Sequence, residues 1–511
     1  MPTIGGSRSN EEAARHGAVV TGLASPAPVV GVSLPLTSSR TFEYPIMRSH
    51  SSRSHRCLAT RRLRTFGLAL TLGAGLAATS LAAQEAAETE ASTDLFLRAN
   101  KVIVSPGKTL EGVSLIVRDG RIIAMGDDLA APEGAQTIEG EVICAAFIDP
   151  WSVAGVDASS AGTDRVDTAT RATDALDPYR QDELLEDLVE SGVLMMRVEI
   201  GRSAAVSGVG AVIRAAGAEP VLADAALTAR LDSPGLDPVS RVGQVDRLAS
   251  ALTAAQKYAA DVAVYERDLK VWKEEIAEKE KELAEDFKKA KKARDKKVKE
   301  AEEDGEELKE KKYKEDKRPR GPKLDPKKAS LARAVGGEVP MVVHVEQALE
   351  LRELLRVTRG FTRMRMVIAG GRSALLFADE LAERGIPVIV TPSPGSPGGD
   401  VGEMDPGFAL AGELSARGVE VLIGSGATSA SASVNLPLLA AAAVGHGLGE
   451  DAALHAITRG PARVFDLQSK VGTVQRGLHA DLLVLSGDPL SSSTRVLASI
   501  SGGKVVHQAG N

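Results

Sequence analysis

Cysteine is almost absent. Cys57 and Cys144 are the only two in 511 residues. Cys57 falls in an N-terminal stretch that reads as a removable leader, so the retained chain has one thiol and no intrachain disulfide. Cys144 lies in the apolar run VICAAFI and reads as a small buried residue rather than a reactive thiol. Aromatics are scarce at 3% while glycine reaches 50 residues. That balance fits an Ala/Val/Gly-rich α/β protein better than an aromatic-rich β-sandwich. Positive charge is not in excess. The net formal charge is −7, and residues 1–83 hold nine Arg against three Glu, so the remainder stands at −13. Such a chain is a poor partner for nucleic acid or an anionic membrane surface. Also missing are a G-x-S-x-G nucleophile elbow and a P-loop. Gly201, Gly208 and Gly210 do not make a dinucleotide fingerprint.

Residues 1–46 are rich in Ser, Pro and Gly without periodicity. From Met47 the chain reads MRSHSSRSHRCLATRRLRTFGLALTLGAGLAATSLAAQE. An Arg-rich start, an apolar run over 66–78 and small residues at Leu81-Ala82-Ala83 predict a cleaved signal peptide, with Met47 a candidate start. The run is shorter than the ~20 residues that span a bilayer, so no stable membrane insertion is expected. The expected location is periplasmic or secreted. Thr60-Arg61-Arg62 hints at twin-arginine export, and the residues after it fit that route poorly.

Three textures follow. Residues 84–146 alternate apolar and polar in short strands with Gly and Asp-Gly turns, and 466–511 return to that pattern. The two ends could pair as one β-module. Between them, over 147–465, apolar strands alternate with helices: VPMVVHVEQ, MRMVIAGG, IPVIVTPS and VEVLIGSG are each followed by a helical stretch. Strands buried on both faces and linked by helices are parallel β/α units, and their number predicts a (β/α)₈ barrel. Residues 265–325 do not fit. They are dominated by Lys and Glu, with Tyr265, Leu269, Trp272, Ile276, Leu283, Phe287 and Ala290 near heptad spacing. The plain reading is a solvated helical insertion. The sharper one is an arm for a partner or a homo-oligomer.

These stretches, in this order, resemble the amidohydrolase superfamily of metal-dependent barrel hydrolases, from about residue 94 to the C-terminus. The resemblance is carried by NKVIVSPGKTLEGVSLIVRDGRIIAMGDD, by VLMMRVEIG with SGVGAVIRAAG, by IPVIVTPS, and by ALHAITRGPARVFDL with VGTVQRGLHADLLVLSGDPL. It implies a barrel with a β-sandwich built from both chain ends, and hydrolysis of non-peptide C–N or related bonds. It also implies His-x-His after the first barrel strand, a bridging Lys or Glu, a His on each of two later strands and a final Asp. A metal held there would lower the pKa of bound water to about 7.

Carried over by position, most of that set is missing. After Phe147-Ile148-Asp149 the two His positions fall on Trp151 and Val153. In VLIGSGATS, Gly426 stands where the Asp is expected. Ala369 and Gly370 stand at the sixth-strand His, and the bridging Lys is not placed. His344 alone matches, at the fifth-strand ligand position. His344 and Glu346 are two apart on a strand and should share a face. Asp149 and Glu199 could join them at the mouth. His344 is thus the metal candidate, for one divalent ion such as zinc, and Asp149 and Glu346 are the candidate catalytic carboxylates; the plain alternative is a buried, hydrogen-bonded His344. Three functions are expected to compete. One is a degenerate hydrolase, or pseudoenzyme, that binds a small-molecule ligand or a partner. The others are an active hydrolase with a reduced site around His344 and a non-catalytic assembly protein using the Lys/Glu arm. The Pro/Gly-rich SPGSPGG, residues 393–399, reads equally as a loop over the barrel mouth or as an ordinary linker.

Overall fold

The computed structural model describes residues 94–156, 168–177, 182–200, 205–232, 238–301, 318–393 and 407–510. The expected leader over 1–83 lies outside them. So do Gly201, residues 302–317 of the charged segment and 394–399 of the Pro/Gly-rich loop.

The alternating ends of the chain do pair. Strands β1 (Leu95–Ser105), β2 (Lys108–Glu111), β3 (Ser114–Arg118), β4 (Arg121–Gly126) and β5 (Gln136–Ala145) join β14 (Leu482–Leu485), β15 (Val496–Ser501) and β16 (Lys504–Gln508). The order is β16-β15-β14-β5-β1-β3-β4, with β2 on β1. The antiparallel β5–β14 ladder, with Cys144 opposite Leu483, is where the two ends meet. This one sheet curls: the Ile122 N–H donates to the Leu478 carbonyl at 3.0 Å and the Ala480 N–H to that of Gly120 at 2.9 Å. Those bonds bring the β4 edge back to the segment before β14. Leu97, Leu115, Ile122, Ile143 and Leu482 fill the inside of the curl.

The middle of the chain forms the second eight-stranded sheet, in simple sequence order. Its strands are β6 (Phe147–Ser152), β7 (Val193–Val198), β8 (Val206–Arg214), β9 (Pro220–Arg230), β10 (Met341–Val345), β11 (Met366–Gly370), β12 (Val388–Val390) and β13 (Val421–Ile423). Most are apolar and buried along their whole length, as strands covered on both faces must be. Helices α4 (Ala348–Thr358), α5 (Ala378–Glu383) and α6 (Leu410–Ala416) follow β10, β11 and β12 and cover the outside. The strict all-parallel expectation needs one correction: β8 runs antiparallel to both neighbours. Only residues 199–205 separate β7 from β8, and only 215–219 separate β8 from β9. A parallel crossover needs a dozen or more residues, so these connections can only make hairpins.

The sheet is nearly closed into a barrel. β6 and β13 lie side by side without a backbone ladder. Side chains stitch this seam instead. Asp149 Oδ1 accepts from the N–H of Trp151 (2.9 Å) and of Ser425 (3.2 Å), and Oδ2 accepts from the Ser433 hydroxyl (2.7 Å). Ser425 Oγ donates to the Trp151 carbonyl at 2.9 Å, and Ser152 and Ser433 share a 2.7 Å hydroxyl contact. All of these side chains are buried.

One element leaves the barrel. Helix α2 (Pro238–Ala301) has 64 residues, about 96 Å at 1.5 Å per residue. It begins well before residue 265. Val245, Leu248, Leu252 and Ala255 bury its first part. Beyond them Tyr265, Leu269, Trp272 and Ile276 are half-buried, and Leu283 is exposed. Arg318 donates to the Tyr265 hydroxyl at 3.5 Å, so the chain returns there, and α3 (Pro326–Val335) leads back into β10.

The seam makes a direct prediction. Asp149→Ala leaves two backbone donors and one hydroxyl without an acceptor, at about 1–3 kcal/mol for each group left buried and unpaired. The urea midpoint should fall, and amide exchange should accelerate selectively along β6 and β13. Uniform exchange across the barrel would show that the seam does not depend on this carboxylate.

Candidate functional site

The mouth of the barrel, at the ends of β6, β7, β9 and β10, is where barrel folds place their chemistry. Here it is built around Glu199, one residue past β7. Arg197 and Glu199 are two apart, so both point to one face. Arg197 Nη1 donates to Glu199 Oε2 at 2.8 Å, and Arg197 Nη2 reaches Thr228 Oγ1 on β9 at 2.6 Å. Arg230, at the end of β9, donates to Glu199 Oε1 at 2.9 Å and also meets Asp232. Arg230 stands opposite His344 in the parallel β9–β10 register. His344 Nε2 meets Glu199 Oε2 at 3.0 Å. The Trp151 and His344 rings pack with centroids 4.7 Å apart, and the Arg197 guanidinium lies over the Phe465 ring, 5.8 Å from its centroid.

Electrostatics follow from burial and charge. Burial opposes ionisation of Glu199, but His344, Arg197 and Arg230 together outweigh it and hold its carboxyl well below the usual range. Burial, then the charge of Arg230, pushes His344 below its ordinary value. A neutral His344 carries its proton on Nε2, donates to Glu199, and leaves Nδ1 as a lone pair with no partner. Trp151 Nε1 and Arg230 Nε are likewise buried without partners. Asp149 is raised by burial, only partly offset by the bonds from Ser425, Ser433 and Trp151.

The expected residues are therefore only partly brought together. His344 is in the cluster, on Glu199. Asp149 spends both oxygens on the β6–β13 seam. Glu346 lies just past β10 and accepts from the Arg372 N–H at 3.1 Å. Its carboxylate fills the space beside Gly370 (φ 87°), where a Cβ would come within 2.2 Å of it. A side chain at the sixth-strand ligand position would collide with Glu346. Gly426 has φ 82°, and a Cβ there would lie 2.8 Å from Thr391 Oγ1, so that position has no room for an Asp. Trp151 and Val153 are buried packing residues. His455 lies in helix α8 (Glu450–Ile457) and meets Glu420 at 3.1 Å, away from His344 and Glu199. Arg197 and Arg230 were not singled out from the sequence. The available signal was a charged residue inside a run such as VLMMRV, whose other members are all buried.

Comparison with known proteins identifies the architecture. No protein-family model and no curated relative matches the chain. A solved amidohydrolase from Thermotoga maritima MSB8 superposes with a TM-score of 0.61 at 21% identity, covering 81% of this chain and 100% of that one. The chain has the amidohydrolase fold. A prolidase complexed with N-methylphosphonate-L-proline (16% identity, 82% and 100% covered, TM-score 0.46) also matches. So does a zinc-bound adenosine deaminase from Xanthomonas campestris (14%, 81% and 92%, TM-score 0.42). Neither adds weight at those scores.

The residues at the mouth do not fit the metal that an amidohydrolase fold implies. Among the described residues no three His, Cys, Asp or Glu side chains gather as a ligand set. Glu199 already accepts from two guanidiniums and an imidazole N–H. Asp149 accepts from three donors at the seam. The charge facing Glu199 is already positive.

The network also sets the acid response. Both Glu199 and His344 have folded-state values below their unfolded ones, so the folded state gives up proton affinity. The stability this confers is complete above the unfolded value and lost as pH falls through and below it. The window opens near 6.5 for His344 and near 4.5 for Glu199. Urea midpoints measured from pH 7 to pH 4 should fall, and His344→Gln should flatten the upper part of that fall. Glu199→Gln should cost about 3–5 kcal/mol at pH 7, because it strands buried guanidinium charge. A loss below about 1 kcal/mol would show that the cluster is solvated.

Proposed function

We propose that the chain is an exported amidohydrolase-superfamily protein, of hydrolase descent, that has given up metal-dependent hydrolysis and binds a small polar ligand at the barrel mouth. One observation supports the loss of chemistry: Glu199 and Asp149, the carboxylates that could serve a metal-bound water, each already accept from three protein donors. Supporting the ligand are the four buried, unpartnered nitrogens of Trp151, Arg197, Arg230 and His344, since buried polar atoms without protein partners mark a place for water or ligand. Export rests on the leader pattern of residues 47–83. The curled sheet is the counterpart of the superfamily's β-sandwich, and the distal part of α2 is an insertion in the barrel. A second reading, assembly through that insertion, is favoured by exposed Val264, Val271 and Leu283 on α2. Deleting 265–325 should then lower the mass measured by light scattering, and an unchanged mass rejects it.

Metal analysis tests the main reading. Protein purified and then dialysed against zinc should retain far less than one ion per chain, and His344→Ala should not change that. One zinc per chain, lost in His344→Ala together with hydrolysis of an amide substrate, would establish the reduced-site hydrolase instead.

A further inference from the structure

A cavity of about 270 Å³ opens away from the mouth, between the start of β6, helix α7 (Leu436–Gly445) and the connection 486–495 from β14 to β15. Phe147, Leu485 and Val496 form its inner wall, and the first two are buried core residues. The cavity is thus a recess into the junction of the two sheets. Pro437, Leu438 and Ala441 of α7 form a second side, and Ser491, Ser492 and Thr494 edge it. None of the described residues lining it is charged. The sequence of α7 points the same way. LPLLAAAAVG has no polar side chain in ten residues, and a helix apolar on every side is normally enclosed. Here Leu438 stays 56% exposed.

We propose that this recess binds a small, uncharged, mainly apolar molecule with one polar end, of the size of a primary alcohol of about eight carbons. Size, charge and area select that class. An apolar cavity of roughly 150 Å³ takes up benzene, so this one holds a molecule nearly twice as large. A charged ligand would lose its hydration against walls that offer no counter-charge. The hydroxyls of Ser492 and Thr494 at the rim can meet a single polar end. A protein partner fits less well. Stable interfaces bury about 800 Å² on each side, and Leu438 is the one large apolar side chain left exposed on α7 and the 486–495 connection. No mouth residue lines the recess, so the inference stands apart from the function proposed for the mouth.

The test is calorimetric titration of the chain with straight-chain primary alcohols of increasing length, up to 1-octanol. Affinity should rise about fourfold with each methylene removed from water. Ala441→Phe, which fills the recess from α7, should weaken 1-octanol binding at least about tenfold. Leu438→Asp places a carboxylate on the uncharged rim and should weaken it by a similar factor. That position is exposed, so the variant should fold, and it decides alone if Ala441→Phe does not. Absence of 1-octanol binding up to its solubility limit, or binding that neither folded variant reduces, overturns the inference. Light scattering tests the competing occupant. A parent dimer that takes up no alcohol and that Leu438→Asp splits would assign the recess to a second copy of this chain and overturn the inference as well.

Discussion

The barrel mouth depends on one carboxylate shared among three donors. Glu199 accepts from Arg197, Arg230 and His344, so the second, fourth and fifth strands of the barrel sheet are tied to one atom group. The reversed β8 lies between two of those strands, and Arg197 reaches past it to Thr228 on β9. The positions of Arg197, Arg230 and His344 at the mouth follow from this link. His344 is held at Nε2, its ring orientation is set, and Trp151 packs against it. A buried ion set of this kind is weak evidence for stability, because well-packed apolar residues of the same volume often do as well or better.

The second constraint is closure. An eight-stranded sheet with hairpins at β7–β8–β9 lacks the regular β/α repeat on that side, and β13 does not ladder with β6. Asp149, Ser425 and Ser433 supply the missing bonds. This explains why Asp149 is buried and fully hydrogen-bonded rather than free for proton transfer. A carboxyl that is raised by burial and already accepts three bonds is a structural fastener. The same physical logic applies to Glu346, whose oxygens lie against Gly370 and the Arg372 N–H. Each candidate base has thus been drawn into local structure, in a different way.

The fold was largely legible because its signals are local. Period-two alternation at the chain ends, buried runs such as MVVHV and the helices after them needed no knowledge of contacts. The antiparallel β8 was legible in principle from the short spacings at 199–205 and 215–219, but a count of apolar runs does not register chain direction. The site was half legible. His344 and Glu199 could be placed at strand ends from the sequence, and they meet. Glu346 could be placed on the face of His344 only if the strand continued; β10 ends at Val345, and the chain then turns toward Gly370. Arg197 and Arg230 were hidden for a different reason. A lone Arg in an apolar run looks like a strand edge until the carboxylate that neutralises it is known, and that carboxylate comes from the fold.

A guanidinium and a divalent metal solve the same electrostatic problem, neutralising inward-facing carboxylate in a site that water cannot fully reach. They differ in what else they can do. A zinc ion offers an open coordination position and acidifies bound water toward neutrality. A guanidinium has only N–H donors, stays protonated, and cannot generate hydroxide. A guanidinium can therefore balance a buried carboxylate without supplying a nucleophile. At this barrel mouth the neutralising role falls to Arg197 and Arg230, which hold Glu199 from two strands.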